Sequence, residues 1–312
     1  MRGSVTRNAR ELGVIALALA LALALGGGPA HAQAPRTQVV MLGTGTPNAD
    51  PDRSGPAVSV VRDGRSYLVD AGPGTVRRAA AAARLGFSAL EPKNLTVLFL
   101  THLHSDHTIG LPDVILSSWV LERTVPLELY GPPGTKVMVD HLLAAYSADI
   151  RNRLDGLEPA NETGYRVNVH EIAPGTVFDD GNVKVTAFAV PHGDWDVAFG
   201  YRFDSADRSI VISGDTRASE AVVAACNGCD LLLHEVYSAD RFTTRPPEWQ
   251  RYHERAHTST DELAGLATRA QAKQLVLYHQ LYWGTDDAGL IAELVRAGYS
   301  GAVVSARDLG FY

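Results

Sequence analysis

The stretch LTVLFLTHLHSDH, residues 95–107, joins a short apolar run to four potential metal ligands. Its first six residues are mostly apolar and too few for an ordinary helix, so they predict a buried strand. His102, His104, Asp106 and His107 follow at once and are expected on the loop at the carboxyl end of that strand. Because functional sites in layered α/β folds are built at such strand ends, the four side chains predict a metal site.

The N-terminus has the pattern of a secretory signal peptide. Arg2, Arg7 and Arg10 precede the apolar residues 12–25, and Ala30-His31-Ala32 is a small-x-small cleavage site. This run of 14 residues is shorter than the ~20 that span a bilayer, which disfavours a stable membrane anchor. We therefore expect residues 1–32 to be a signal peptide and the mature protein to be periplasmic or secreted.

The composition disfavours a polyanionic partner. The 312 residues are 46% hydrophobic, enough to bury a substantial core, and carry a formal net charge of −7. An acidic chain is a poor non-specific binder of nucleic acid, although a local basic patch remains open. We therefore expect a small anionic ester as the substrate, and we do not expect a nucleic-acid partner.

The two cysteines, Cys226 and Cys229, are separated by two residues. In an exported protein this spacing favours a local disulfide. A second metal site is the alternative, but the chain has no other cysteine pair to complete it.

The remaining pattern predicts one α/β domain over residues 37–312. Strands come first, then helices and strands mixed, then more strands, then helices again. Two mixed β-sheets packed face to face with helices outside, an αββα sandwich, bury the apolar faces of these elements. Residues 237–256 are predicted as a long loop.

Further predicted strands also end in residues that bind metals. The strands at 183–190, 209–213, 231–233 and 274–278 are followed or ended by His192, Asp215, His234-Glu235 and His279. One such residue is unremarkable, but ligand-type residues at four strand ends indicate the rest of a two-metal site.

Together these motifs resemble those of the metallo-β-lactamase-fold hydrolases. The resemblance rests on Thr101–His107, on His192, on Gly214-Asp215-Thr216 and on His279. Within that superfamily the chain resembles the ribonuclease Z-like branch, which also holds arylsulfatases and phosphodiesterases. The motifs that carry this closer resemblance are Gly200-Tyr201-Arg202, His234-Glu235 and His257-Thr258-Ser259-Thr260.

The resemblance implies a role for each of these residues. It implies two zinc ions held by seven side chains: His102, His104 and His192 on one ion, Asp106, His107 and His279 on the other, and Asp215 between them. Manganese or iron would also suit these ligands. Asp106 is expected to take a proton from the attacking water as well. His257, oriented by Glu235, is expected to act as general acid, and His234 to have a supporting role.

The predicted function is that of an exported dinuclear zinc hydrolase, which cleaves a phosphodiester or an aryl sulfate ester with a metal-activated water. One alternative is a ribonuclease Z-like tRNA 3′ endonuclease. The resemblance implies that those enzymes carry a long arm after the Gly-Tyr-Arg segment, and residues 203–213 are too few for one. The other alternative is an exported metal-binding protein without activity, which predicts a broken ligand set, and no ligand is missing. A homodimer is consistent with the resemblance.

Aromatic residues are predicted in loops that flank the ligands: Trp195, Trp249, Tyr252, Tyr282 and Trp283. They would either line a pocket for an aromatic ester or nucleoside or pack beneath long loops, and both interpretations stay open.

Overall fold

Two mixed β-sheets pack against each other, with helices on both outer faces. The computed structural model describes residues 36–312, and the predicted signal peptide, residues 1–32, lies outside them. The first sheet contains, in spatial order, β1 (Thr37–Gly43), β2 (Ala57–Arg62), β3 (Arg65–Val69), β4 (Val97–Phe99), β5 (Leu127–Gly131) and β6 (Val167–Glu171). The second contains β13 (Val303–Ser305), β12 (Gln274–Leu281), β11 (Leu231–Tyr237), β10 (Ser209–Ile212), β9 (Phe199–Ser205), β8 (Val183–Ala189) and β7 (Gly175–Asp179). The predicted αββα sandwich is therefore confirmed.

The strand β4 shows why the central strands are continuously apolar. Phe99 belongs to the core between the two sheets, and its neighbour Leu98 points into the layer between the first sheet and its helices. Because successive side chains alternate between faces, a strand covered on both sides needs apolar residues throughout. The parallel order β3-β4-β5-β6 places β4 in the interior of its sheet.

The helices form the two outer layers and the segments around the site. They are α1 (Thr75–Arg84), α2 (Ser105–Thr108), α3 (Leu111–Val120), α4 (Thr135–Ala145), α5 (Ser147–Asp155), α6 (Glu220–Cys226), α7 (Ala239–Phe242), α8 (Pro247–Ala256), α9 (Thr260–Ala270) and α10 (Asp287–Arg296). Helix α6 ends at the disulfide between Cys226 and Cys229, which confirms the predicted pairing. Within residues 36–312, every helix is too short or too polar to cross a bilayer.

The prediction of a long loop over residues 237–256 is wrong. This segment contains the short helix α7 and the ten-residue helix α8. Helix α8 begins at Pro247, and the face that it turns inward carries no large aliphatic residue. Trp249, Tyr252, His253 and Ala256 recur there at helical spacing, but they follow Pro246-Pro247, a pair that is typical of loops. The adjoining helix α9 begins with a capping box between Ser259 and Glu262.

Candidate metal centre

The seven predicted ligands meet where strand ends of the two sheets come together. Helix α2 and the residues before it follow β4 of the first sheet, whereas the second sheet supplies the other three ligands from β8, β10 and β12. The ligand atoms fall into overlapping groups whose members lie within 4.8 Å of one another. Six of the seven side chains are buried, and His104 is half-buried. The structure therefore brings together all seven residues, whose ligand roles remain a proposal.

Three histidines form the first group. His102 Nε2 lies 2.9 Å from His104 Nδ1, and His192 Nε2 lies 3.1 Å from the same atom. Three imidazole nitrogens that converge at these distances around one point form the donor set that zinc commonly takes.

Two histidines and two carboxylates form the second group. His279 Nε2 lies 3.3 Å from Asp106 Oδ2 and 3.3 Å from Asp215 Oδ2. His107 Nε2 lies 3.5 Å and 3.3 Å from the same two oxygens. His279 reaches this position with a φ of 47°, a left-handed conformation that is uncommon outside glycine and that often occurs at functional sites.

Asp215 joins the two groups. One of its oxygens belongs to a group with His102 and His107, and a carboxylate oxygen also lies close to His192 and His257. The preceding Gly214 has a φ of 62°, and a Cβ there would lie 2.5 Å from the carbonyl oxygen of Phe199. Only glycine therefore allows the turn that directs Asp215 into the centre, which explains the Gly-Asp-Thr motif locally.

Partners behind the histidines fix their ring orientations. His107 Nδ1 is 2.8 Å from Asp70 Oδ2, and His192 Nδ1 is 2.7 Å from the carbonyl oxygen of Ala256. Such contacts leave Nε2 of each ring to face the centre, as is usual for metal-binding histidines. Asp70 also accepts hydrogen bonds from the amide and hydroxyl of Thr101, and so anchors the start of the ligand loop.

Asp70 is a functional residue that the sequence reasoning missed. It lies 37 residues before His107, so no local spacing connects the two. Its φ of 62° is a further signal, but one that only the structure shows.

Electrostatics favour neutral imidazoles in the first group and ionised carboxylates in the second. Burial lowers the pKa of His192 to about 4 and the pKa of His102 well below its ordinary value. Burial would raise the pKa of Asp215, but the neighbouring His279 and His107 outweigh it and hold that pKa well below its usual range. Burial would lower the pKa of His107 and of His279, but the Asp215 carboxylate outweighs it and raises both pKa values. Neutral imidazole and ionised carboxylate are the forms that bind metals.

The residues fit a pair of divalent metal ions. His107 Nε2 and Asp215 Oδ1 are buried and make no hydrogen bond, although both face the centre. Buried polar atoms without partners are costly, and a cation between them would satisfy both. Histidine nitrogens with carboxylate oxygens suit zinc, and they also suit manganese or iron. His102, His104 and His192 would hold one ion, Asp106, His107 and His279 would hold the other, and Asp215 lies beside both groups.

His257 and Glu235 lie beside the second group. His257 Nδ1 is 3.4 Å from Glu235 Oε2, and both side chains are at least nine-tenths buried. Burial lowers the pKa of His257 to about 4 and raises the pKa of Glu235 well above its ordinary value. The backbone amide of Thr258 donates to the other Glu235 oxygen at 2.9 Å. His234 instead turns its Nδ1 towards the carbonyl oxygen of Glu235, and does not join any ligand group.

The flanking aromatic residues divide into three kinds. Trp249, Tyr252 and Trp283 line the main cavity above the centre. Trp195 packs against the centre itself, and its Nε1 donates a hydrogen bond of 2.8 Å to His104 Nε2. Tyr282 lies outside the cavity lining, where its ring packs under the guanidinium of Arg53.

Both the fold and the site are those of a metallohydrolase with its ligands at the strand ends of an αββα sandwich. The family model described as the beta-lactamase superfamily domain matches residues 65–280. The chain belongs to the metallo-β-lactamase superfamily, in its ribonuclease Z-like branch.

Two kinds of relative support this assignment. A protein named Ribonuclease Z from Mycobacterium sp. (strain KMS) is 37% identical over 246 residues, which cover 78% of this chain and 84% of the relative. The solved structure of human tRNase Z, short form, is 25% identical with a TM-score of 0.64, and covers 88% of this chain and 98% of its own. The metallo-beta-lactamase fold protein YhfI from Bacillus subtilis shares the fold, with a TM-score of 0.66 at 18% identity and coverage of 89% and 100%.

These comparisons agree with some expectations better than with others. The superfamily implies a metal-dependent hydrolase and a divalent metal, typically zinc. The relatives' name conflicts with the expectation that no nucleic acid takes part, and it favours the tRNA-endonuclease alternative over the main prediction. It does not specifically support an aryl sulfate substrate.

Proposed function

We propose that this protein is a dinuclear metal-dependent phosphodiesterase. The observation that carries the proposal is the pair of adjoining donor groups that share Asp215. Three histidines on one side, with two histidines and a carboxylate on the other, would hold two ions close enough for one substrate group to contact both.

Bound metals would polarise the phosphoryl oxygens and lower the pKa of the attacking water. The chain itself supplies the proton transfers. Asp106 is 8% exposed and borders the cavity, so it can accept the proton of the attacking water and hold that water in line. Glu235 faces His257 Nδ1, and its raised pKa keeps it protonated. It can therefore pass its proton to that nitrogen as the opposite ring nitrogen gives its proton to the departing oxygen.

A phosphodiester is favoured over a sulfate ester because the relatives are named for ribonucleases. Two candidate functions remain, and they differ in the size of the phosphodiester: a precursor tRNA or a small molecule. Ribonuclease Z-like cleavage of tRNA 3′ ends is supported by the 37% identical relatives. A small diester is supported by the turn between β9 and β10, which has only the three residues 206–208 and thus lacks the arm expected of the tRNA enzymes.

One substrate panel tests the proposal. Protein purified from the full chain and loaded with zinc is assayed on bis-p-nitrophenyl phosphate, on p-nitrophenyl sulfate and on a precursor tRNA with a 3′ trailer. We expect phosphodiester turnover that a chelator abolishes and zinc restores. No turnover of either phosphodiester by protein with two bound metals would refute the proposal, and faster cleavage of the precursor tRNA would establish the second candidate.

A matched pair of variants places the activity at the centre. Asp106→Ala should abolish turnover, whereas Asp113→Ala on α3, whose carboxylate pairs with the exposed Arg77, should leave turnover unchanged. Equal losses in the two variants would show that the effect of Asp106 is not local.

Export after cleavage of residues 1–32 and a homodimer remain parts of this proposal, to be tested separately.

A further inference from the structure

The cavity above the metal centre is larger than a phosphoryl group requires. Its volume is about 590 Å³, and it opens directly onto His104, Asp106, Asp215 and His279. Cavities of this size commonly enclose a whole small-molecule ligand rather than one functional group. The walls beyond the centre should therefore recognise a part of the substrate that does not react.

Aromatic rings form one wall of the cavity. His253 lies between Trp249 and Trp283, with ring centroids 5.9 Å and 4.7 Å away. Trp249 is 48% exposed despite its size, and it shares the cavity with Tyr252 on the next turn of α8. Trp283 has a φ of 48°, so the backbone holds a bulky residue in a conformation it rarely adopts. Rings that face a cavity in this way offer stacking surface to a flat ligand.

Arg245 provides a positive charge at the far end of this wall. Its guanidinium carbon lies 5.4 Å from the centroid of the Trp283 ring, and its Nε is buried without a hydrogen-bond partner. Among residues 36–312, no Asp or Glu oxygen lies within 4.0 Å of its guanidinium nitrogens. Arg53, which is also partly buried, is neutralised by Asp287 at 3.2 Å, and the partly buried Arg208 donates to two backbone carbonyl oxygens. A partly buried arginine without a protein acceptor is suited to an anion from outside.

The path from the centre to Arg245 runs over two rings. His257 and His253 have centroids 5.4 Å apart, His253 and Trp283 have centroids 4.7 Å apart, and Arg245 lies beyond Trp283. Arg245 is thus connected to the metal centre through the rings of His253 and Trp283, and it belongs to none of the ligand groups. Arg245 is therefore placed for a second anionic group of the substrate and not for the reacting one.

We propose that this cavity is a subsite for an aromatic ring that bears a second anionic group, and that Arg245 pairs with that group. The inference rests on the proposed function for the location of the first anion. The ring stacks against Trp249, which is 48% exposed, while the reacting ester occupies the metal ligands. Nucleotides with two phosphates and aryl compounds with two acidic groups share this chemistry.

Binding of non-reacting ligands to zinc-loaded protein, measured by calorimetry, tests the subsite without turnover. The aryl series is methylphosphonate, phenylphosphonate and benzene-1,4-diphosphonate, and the nucleotide pair is adenosine 5′-monophosphate and adenosine 3′,5′-bisphosphate. The ring should strengthen binding by about fivefold or more, as stacking contacts do. The second anion should add at least about tenfold in one series or in both, the lower end for a charge-assisted hydrogen bond. The series with the larger gain identifies the source of the ligand.

Variants assign each gain to a residue. Arg245→Gln should remove the gain from the second anion, whereas Arg241→Gln on α7, an exposed arginine outside the cavity, should retain it. Arg245→Met, which keeps the packing on Trp283, repeats the test if the glutamine variant does not fold. Trp249→Leu, which leaves the contact between Arg245 and Trp283 in place, should remove the gain from the ring only.

Two outcomes would overturn the inference: no gain from the second anion in either series, or a gain that survives in a folded Arg245 variant. Failure of the proposed function is distinct from both, because it would appear as absent turnover with binding intact.

Discussion

Replacing Asp70 by asparagine tests whether the ring of His107 is oriented for a metal ion. The Asp70 side chain is 2% exposed and accepts from three donors: the amide and hydroxyl of Thr101, and His107 Nδ1 at 2.8 Å. Asparagine has nearly the same shape and also tolerates a positive φ, so the backbone is not strained further. Its amide can still accept from Thr101, but it turns an NH₂ group towards His107.

The expected magnitudes follow from that one lost contact. A buried hydrogen bond to a charged acceptor contributes about 1.5–3 kcal/mol, so the free energy of unfolding of metal-free Asp70→Asn should fall by about that amount. Loss of the partner behind a metal-binding histidine typically weakens metal affinity by about 10–100-fold. Urea denaturation measures the first quantity, and competition with a chromophoric chelator measures the second.

Asp308→Asn is the matched control. The Asp308 side chain is 5% exposed and accepts from the amide and hydroxyl of Thr44 and from the amide of Ser54, away from the ligands. This variant should lose similar stability and bind metal as the wild type does. The reasoning would be refuted if Asp70→Asn bound two metal ions with wild-type affinity, because the contact with His107 would then have no role in the centre.

Three further changes have separate expected outcomes. The Trp195 N–H donates to His104 Nε2, and this hydrogen bond keeps the proton of His104 on Nδ1, the nitrogen that faces His102. Trp195→Phe removes that donor, so metal affinity at the first group should rise about 2–10-fold. An unchanged chelator-competition curve would contradict this expectation. Burial would raise the pKa of Asp207, but hydrogen bonds from Thr37 and Arg62 outweigh it and lower that pKa. The Asp207 carboxylate therefore stabilises the fold above pH ~4, and this contribution is lost as the pH falls through the lowered pKa. The difference in urea midpoint between the wild type and Asp207→Asn should shrink over the same pH range. A difference that stays constant with pH would contradict the lowered pKa of Asp207. Expression with the native N-terminus should yield a periplasmic or secreted protein whose intact mass corresponds to a chain that begins at Gln33. A full-length chain in the cytoplasm would rule out the predicted signal peptide.

Much of the fold and the candidate site could be predicted because the informative residues are local. The apolar run of β4 is doubly buried, and its ligands follow within seven residues, so both the strand and its end are visible in the sequence. His192 and Asp215 follow strands in the same way. His279 instead lies within β12, which continues past the predicted end at 278, and it is the unpaired residue at an irregularity in the pairing of β12 with β11. The error at residues 237–256 has the opposite cause, since the helical period of α8 is carried by two aromatic residues, a histidine and an alanine directly after Pro246-Pro247, without a large aliphatic residue.

The sequence by itself determined the kinds of donor and the strand ends that carry them. Only the tertiary structure decided which donors share an ion, because that depends on how strands more than a hundred residues apart are packed. Asp106 and His279, 173 residues apart, come within 3.3 Å only because the two sheets pack face to face with these strand ends together. The same packing placed Asp70 behind His107 and Arg245 beyond the aromatic wall, in positions that no local spacing encodes.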